Sequence, residues 1–330
     1  MMTPPNVFYK SDAVASFFNP NNYPDPPFVE IPSVLNPFTD DDVDIYASCA
    51  YYNHGNIKMY AAYNMLQRAK SEGKIAPGHV IVESTSGNMG LALGKIARHF
   101  GCRVKIIVSD DTAPGRLESL RHQIGLSSVE PVPSGAIERA KEYGRQPGFF
   151  HVNQYANAAN PDAITKWYAP VIWRQARTYM TVFAAALGTT GTMVGVGQFL
   201  DNEATHSCYR LGVHLAPEKH VPGVRDLERL KEVSLPWQDH VTGVTAVDSQ
   251  DSYQYAFKLN RLAGLYVGPS SGLAFCGLLQ WLKKSKESGE LDDYRNDSDG
   301  RVVAVFVCAD SADAYLDKFS TFCPGNLYKL

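Results

Sequence analysis

The sequence predicts an α/β protein whose parallel sheets are covered by helices on both faces. Three observations support this fold class. Segments with strand character alternate with segments whose apolar residues recur at helical spacing. Loops rich in glycine, serine and threonine follow several of the strands, where such sheets bind ligands. The composition, with 45% hydrophobic and 20% charged residues, is that of an ordinary globular protein.

The elements follow in order along the chain. Residues 1–40 are rich in proline, asparagine and phenylalanine and predict an irregular arm. The predicted strands are 44–47, 79–83, 104–108, 129–132, 181–187, 246–248, 264–267 and 302–307. The predicted helices are 57–69, 90–100, 116–124, 136–143, 163–179, 192–200 and 272–284. Residues 201–245, with mixed charges and several prolines, predict a long connection that shapes or covers a site.

Bulk properties exclude several classes of function. A chain of 330 residues can form two domains around large cores. A net charge of −3 without a long basic run argues against nucleic-acid binding, and no apolar stretch approaches the roughly 20 residues of a membrane span. Six scattered cysteines without a C-x-x-C pair, and no secretory signal, favour reduced thiols in the cytoplasm and no metal site.

One glycine- and threonine-rich loop is typical of a phosphate-binding site. It comprises Gly188, Thr189, Thr190, Gly191 and Thr192, between an apolar strand and a helix. Amides at a helix start attract phosphate, and glycines allow close approach of the backbone. A plain strand-to-helix turn is the alternative. The motifs of P-loop and dinucleotide-binding proteins are absent from this loop.

A second loop, Thr85, Ser86, Gly87 and Asn88, also joins a strand to a helix. Its hydroxyls, amide and backbone donors favour binding of a substrate carboxylate. The rival interpretation makes Ser86 a hydrolase nucleophile, but its surroundings are not G-x-S-x-G.

Lys58 is the candidate catalytic residue. It lies between Ile57 and Met59, where a turn enters an apolar helix. A partly desolvated lysine can form a Schiff base with an aldehyde cofactor. A solvated surface lysine is the alternative.

These motifs resemble those of the cysteine synthase-like group of fold-type II pyridoxal phosphate (PLP) enzymes. That group includes O-acetylserine sulfhydrylases and cystathionine β-synthases, and the resemblance extends from about residue 29 to about residue 319. Six segments occur in the expected order. They are 53–60, 85–89, 154–161, 188–192, 264–272 and 310–316.

The resemblance assigns roles to individual residues. It implies that Lys58 carries PLP as a Schiff base, that Asn88 touches the cofactor, and that Ser270 lies beside it. Asp310 meets the pyridine nitrogen, with Ser311 as the alternative if the alignment shifts by one residue. The implied cofactor-binding set is Lys58, Asn88, Gly188, Thr189, Thr190, Gly191, Thr192, Ser270 and Asp310. The implied carboxylate-binding set is Thr85, Ser86, Gly87, Asn88 and Gln154.

The chain departs from the family pattern beside Lys58 and at the expected mouth of the site. Asn56 replaces a serine, Met59 and Tyr60 replace an Asp-Arg pair, and Met89 replaces a threonine. Arg225 occupies a loop that is small and uncharged in sulfhydrylases. It is a candidate for binding a substrate phosphate or carboxylate, and an exposed structural arginine is the alternative.

The resemblance implies a homodimer of the tryptophan synthase β-like fold, with two domains, each with a central, mostly parallel sheet flanked by helices. The expected domains are a smaller one at 51–160, which closes on substrate, and a larger cofactor-binding one at 1–50 plus 161–330. The expected reaction is β-replacement on O-acetyl- or O-phospho-L-serine by a sulfur or nitrogen nucleophile. The alternatives are a β-elimination lyase, a racemase, and an inactive PLP-binding paralogue that serves as a partner subunit.

Overall fold

The computed structural model describes residues 8, 13–85, 87–110, 112 and 114–323. The chain divides into two compact units. The first unit comprises Met1–Asp25 and Asn56–Ala163, and the second comprises Pro26–Gly55 and Ile164–Leu330. Which part closes on substrate, and the domain boundaries at 51 and 160, stay predictions.

Within the described residues, strands and helices alternate as the sequence predicts. The strands are β1 Phe28–Glu30, β2 Val43–Ser48, β3 Val80–Ser84, β4 Arg103–Ser109, β5 Val129–Val132, β6 Phe149–His151, β7 Val182–Ala186, β8 Tyr209–Leu215, β9 Gly243–Val247 and β10 Val302–Val307. The helices are α1 Ala13–Phe17, α2 Lys58–Ser71, α3 Asn88–Ile96, α4 Pro114–Ile124, α5 Ala136–Gly144, α6 Ala159–Ala163, α7 Ala169–Gln175, α8 Gly191–Glu203, α9 Leu227–Leu230, α10 Ser249–Leu262, α11 Pro269–Ser288 and α12 Leu316–Phe322. No helix in these ranges is both long and apolar enough to cross a bilayer.

The first unit is built on a four-stranded parallel sheet in the order β5-β4-β3-β6. Every residue of β3 is buried, because parallel sheets are covered on both faces. Helices α2 and α3 supply much of the core around Met65, Leu66 and Leu93. The carboxyl ends of β3 and β6 therefore lie side by side, and they carry the loops that contain Thr85 and Gln154.

The second unit is built on a six-stranded sheet in the order β1-β2-β10-β7-β8-β9. Strand β1 is antiparallel to β2, and the other neighbours are parallel. Strand β10 is buried at all six positions, as expected for a central strand of aliphatic and aromatic residues. The loops after β7 and β10, which carry Thr190 and Asp310, leave the carboxyl edge of this sheet. The α/β fold class is confirmed.

Several elements differ from the sequence prediction. The connection predicted at 201–245 contains β8 and α9, and β9 begins near its end. Strand β8 was missed because Arg210 and His214 interrupt its apolar pattern, although His214 is itself buried. Helix α10 was missed because polar residues dominate its sequence. The predicted strand 264–267 is only an isolated bridge between Val267 and Ser311. The helix predicted at 163–179 begins earlier, at Ala159, contains a π-helical turn at Ile164–Tyr168 and ends at Gln175.

Candidate active site

Lys58 is the first residue of helix α2 and is half-buried. Its backbone N–H donates a 3.1 Å hydrogen bond to the side-chain oxygen of Asn56, which is buried. Asn56 thus satisfies one of the amide donors that a helix start leaves unpaired. The asparagine that replaces the family's serine consequently helps to fix the backbone of Lys58.

The other departures beside Lys58 are packing residues. Met59 is fully buried and belongs to the core of the first unit. Tyr60 is also buried, and its ring meets that of Tyr23 edge-on at 5.3 Å. Hydrophobic packing therefore occupies the buried side of α2 at the two positions where the resemblance predicts a charged pair.

The loop after β3 is shaped by its own hydrogen bonds. The hydroxyl of Thr85 accepts a 3.1 Å bond from the Gly87 amide, and the Thr85 amide donates to the carbonyl of Ile107. Helix α3 then begins at Asn88, which directs its first amides towards this loop. Ser86 lies outside the described residues.

Gln154 is held beside this loop by a buried carboxylate. Glu83, at 1% exposure, accepts hydrogen bonds from the amides of Ser84 at 2.8 Å and Gln154 at 3.0 Å. The Gln154 side chain donates to the Ser84 carbonyl at 3.4 Å, and Asn160 donates to the Gln154 carbonyl at 2.8 Å. The carboxylate thereby ties the carboxyl end of β3 to the segment after β6. Glu83 is not among the site residues predicted from the sequence, although an acidic residue at the end of the apolar run Val80–Val82 is an available signal.

The Gly188 loop has the features of an anion cradle. Gly188 follows β7, and a Cβ atom there would lie 2.0 Å from the carbonyl oxygen of Gly223, so no larger residue fits. Thr190 precedes α8 in the left-handed region, with a φ of 65°. Its buried hydroxyl oxygen has no hydrogen-bond partner among the residues that the structure describes. A buried polar atom at the start of a 13-residue helix suits a phosphate group.

Asp310 follows β10 in a buried polar cluster. One carboxylate oxygen accepts a 2.5 Å hydrogen bond from the hydroxyl of Tyr315, and the other accepts a 3.4 Å bond from Ser270. The carbonyl of Asp310 accepts a bond from the amide of Gly268. The second unit thus brings together Ser270 and Asp310, as predicted, and adds Tyr315, which the sequence analysis did not single out.

Arg225 is only 6% exposed and is not a surface arginine. Its guanidinium donates 2.7 Å hydrogen bonds to the carboxylate of Glu232 and to the carbonyl of Arg229. These contacts stabilise the segment that follows Gly223. Binding of substrate by Arg225 stays a prediction.

The candidate residues divide between the two units. The first unit carries Lys58, Thr85, Gly87, Asn88 and Gln154, and the second carries the 188–192 loop, Ser270, Asp310 and Arg225. The donor set of the second unit fits PLP, because it offers a phosphate cradle and a buried carboxylate for a ring nitrogen. The role of Lys58, in the first unit, as the Schiff-base lysine stays a prediction.

Comparison with known proteins agrees with this chemistry. Residues 26–306 match the family described as pyridoxal-phosphate dependent enzyme. Cysteine synthase B of Escherichia coli (strain K12) is 30% identical over 270 residues, which cover 79% of this chain and 82% of the relative. Cysteine synthase of Staphylococcus aureus (strain Mu50) is 28% identical over 278 residues, covering 80% and 87%.

A solved structure supports the fold. The crystal structure of cysteine synthase from Entamoeba histolytica has a TM-score of 0.74 at 23% identity and covers 100% of this chain and 94% of that chain. The predicted resemblance, the fold-type II architecture, the PLP cofactor and the enzyme class are confirmed. The chain belongs to the family of pyridoxal phosphate-dependent enzymes.

Proposed function

We propose that this enzyme catalyses β-replacement on an O-activated L-serine, with a sulfur or nitrogen nucleophile. The observation that carries the proposal is the Glu83–Gln154 clamp, in which the buried Glu83 carboxylate accepts a hydrogen bond from the Gln154 amide. It places Gln154 beside the Thr85–Asn88 loop, at the carboxyl ends of β3 and β6 in the unit that also carries Lys58. Similarity to the cysteine synthases supports the same reaction.

Bound PLP supplies an electron sink for the α-carbon of the amino acid. The side chains of Thr85, Asn88 and Gln154 bind the substrate carboxylate and orient the α-carbon. Lys58 holds the cofactor at rest, and its freed amine takes the α-proton as general base. Acetate or phosphate then leaves the β-carbon, and the nucleophile takes its place.

In the second unit, Thr190 and the α8 amides would hold the cofactor phosphate. Asp310, oriented by Tyr315, would keep a proton on the ring nitrogen. Binding of the substrate carboxylate would favour closure of the smaller domain and exclude water. A homodimer and a cytoplasmic location remain part of the proposal.

The test is a spectral titration of the purified holoenzyme with O-acetylserine and O-phosphoserine, followed by a panel of thiols and amines. β-Replacement predicts an absorbance change with the activated serine and a new amino acid only when nucleophile is present. Pyruvate and ammonia without nucleophile would indicate a lyase instead, and a racemised substrate a racemase. An unchanged spectrum would favour the inactive paralogue.

Two variants test Lys58 itself. Lys58→Ala should abolish product formation, whereas Lys70→Ala, an exposed position on the same helix, should not.

Preference for O-phosphoserine that disappears in Arg225→Gln would support the substrate role of Arg225. A protein that fails to bind PLP would refute the proposed function.

A further inference from the structure

Two cysteines lie side by side where two central strands of the second unit end. Cys49 follows β2 and Cys308 follows β10, and these strands are parallel neighbours with Val307 opposite Ser48. The next opposite pair is therefore Cys308 and Cys49. The Cys308 amide donates a 2.9 Å hydrogen bond to the Ser48 carbonyl, so the ladder continues to this point.

This arrangement suits a covalent bond between the two sulfur atoms. Neighbouring strands are about 4.8 Å apart, and opposite residues point to the same face. Disulfides usually join Cα atoms about 4.4–6.8 Å apart. Both side chains belong to the same buried core cluster of the second unit. A disulfide could thus form with little movement of the backbone.

The two thiols differ in acidity. The neighbouring side chains of Cys308 and Tyr51 lower the pKa of Cys49 against the opposing effect of burial. Burial, together with the neighbouring Cys49, raises the pKa of Cys308 well above its ordinary value. Cys49 is therefore the thiol that reacts first with an oxidant. Cys308 is the resolving thiol because it lies opposite Cys49 on the neighbouring strand.

Access to Cys49 requires only a local opening. The side chain is 2% exposed, but it precedes the short turn Ala50–Tyr52, in which Tyr52 is 61% exposed. The amide of Tyr51 holds this turn to the Cys308 carbonyl at 3.2 Å. Opening of one such turn admits a molecule close in size to water.

We propose that Cys49 and Cys308 form a peroxide-sensitive thiol pair that closes to a disulfide. The Cys49 thiolate attacks one oxygen of hydrogen peroxide, which gives a sulfenic acid and, after proton transfer, water. The Cys308 sulfur then attacks the Cys49 sulfur, and a second water leaves. Two thiols are oxidised to one disulfide, and one peroxide is reduced to two waters.

The pair lies next to the candidate cofactor site of the same unit. Cys308 is two residues from Asp310, on the segment that follows β10. A disulfide at Cys308 would restrain the segment that leads to Asp310. The absorbance of bound cofactor is therefore expected to differ between the reduced and oxidised holoenzyme.

The test treats the reduced holoenzyme with hydrogen peroxide, then denatures it and alkylates the remaining thiols. Two of the six cysteines should become protected, with a mass loss of about 2 Da from the two hydrogen atoms. Peptide mapping should join the peptides that contain Cys49 and Cys308, and a thiol reductant should reverse the bond. Six alkylatable thiols, or a bond between other cysteines, would overturn the proposal.

Variants separate the two roles. Cys308→Ser should stop at a sulfenic acid on Cys49, which a dione reagent traps, whereas Cys49→Ser should yield neither sulfenic acid nor disulfide at Cys308. Cys208→Ser, at the least buried cysteine, should leave the bond unchanged. Loss of the bond in Cys208→Ser would contradict the assignment. Mapping of the unaltered protein decides the question if a variant fails to fold, and none of these readouts depends on the proposed reaction.

Discussion

The hydroxyl of Tyr315 donates a 2.5 Å hydrogen bond to the carboxylate of Asp310, and both side chains are buried. Ser270 approaches the other carboxylate oxygen at 3.4 Å. A buried carboxylate is costly unless it is hydrogen-bonded, so these donors offset that cost and fix the orientation of the carboxylate. Asp310 is therefore prepared to bind a cationic partner such as a protonated ring nitrogen.

Removal of the Tyr315 hydroxyl should weaken the binding of a cationic partner by Asp310. Tyr315→Phe is expected to lower cofactor affinity and kcat/KM by about tenfold, because a hydrogen bond to a charged group contributes about 1.5–3 kcal/mol. Titration of the apo-enzyme with PLP measures the affinity. Tyr294→Phe, which alters a half-buried tyrosine packed on Trp281, is the control. Equal affinities of the two variants would contradict a role for Tyr315 in cofactor binding.

The clamp between Glu83 and Gln154 predicts a defect specific to the amino acid substrate. Glu83→Gln removes one of the two carboxylate acceptors and leaves a buried amide without its partner, at a cost of about 1–3 kcal/mol. KM for the activated serine should rise several-fold while PLP affinity stays unchanged. Steady-state kinetics and a PLP titration measure the two effects.

Glu72→Gln, at an exposed ion pair with Lys74, is the matched control for Glu83→Gln and should leave KM unchanged. A KM for Glu83→Gln equal to that of the control would show that the clamp does not position Gln154 for substrate.

The position of the Thr190 hydroxyl predicts an effect on the binding of ligands that carry a phosphate group. Thr190→Ala should weaken binding of PLP by roughly tenfold, because it removes a hydroxyl that has no other partner among the described residues. The stability of the apo-enzyme should be unchanged or slightly higher, since an unpaired buried hydroxyl is lost. Affinity for pyridoxal, which lacks the phosphate, should be the same for both proteins. An equal loss of affinity for PLP and for pyridoxal in Thr190→Ala would show that the Thr190 hydroxyl does not contact the phosphate.

The close approach of Gly188 to Gly223 predicts intolerance of any side chain. Gly188→Ala should lower the free energy of unfolding by several kcal/mol or prevent folding, because the added carbon overlaps a backbone oxygen. Gly115→Ala is the control, since a Cβ there meets nothing within 4 Å and alanine favours the helix. Urea unfolding of both variants measures the difference. A Gly188→Ala protein as stable as wild type would refute the close packing of this loop.

The raised pKa of the buried Cys276 thiol predicts a loss of stability at alkaline pH. Burial, with a smaller effect of Asp251, raises the pKa of Cys276 to about 12. The folded protein keeps a proton that the unfolded chain releases above a pKa of 9.0, so the free energy of unfolding falls as pH rises from there towards 12. Below a pH of about 9.0 the Cys276 thiol is protonated in both the folded and the unfolded state, so it does not change the free energy of unfolding. Cys276→Ala should reduce this alkaline fall, as measured by urea unfolding at pH values of about 8 and about 11. An unchanged pH dependence in Cys276→Ala would contradict the raised pKa.

The sequence alone determined the α/β class, the order of the loops and the identity of the cofactor. These follow from local signals: β5 and β10 have the predicted bounds because their residue patterns are typical of strands in any context. Lys58, Thr190 and Asp310 could be predicted as site residues because each lies in a short motif next to a predicted strand or helix.

Only the tertiary structure decided which distant side chains support those motifs. Glu83 and Gln154 are 71 positions apart and meet because β3 and β6 pair. Cys49 and Cys308 become neighbours because β2 and β10 are adjacent and in register. The physical reason is that strand order and register depend on burial of the whole sheet, which no local pattern of residues encodes.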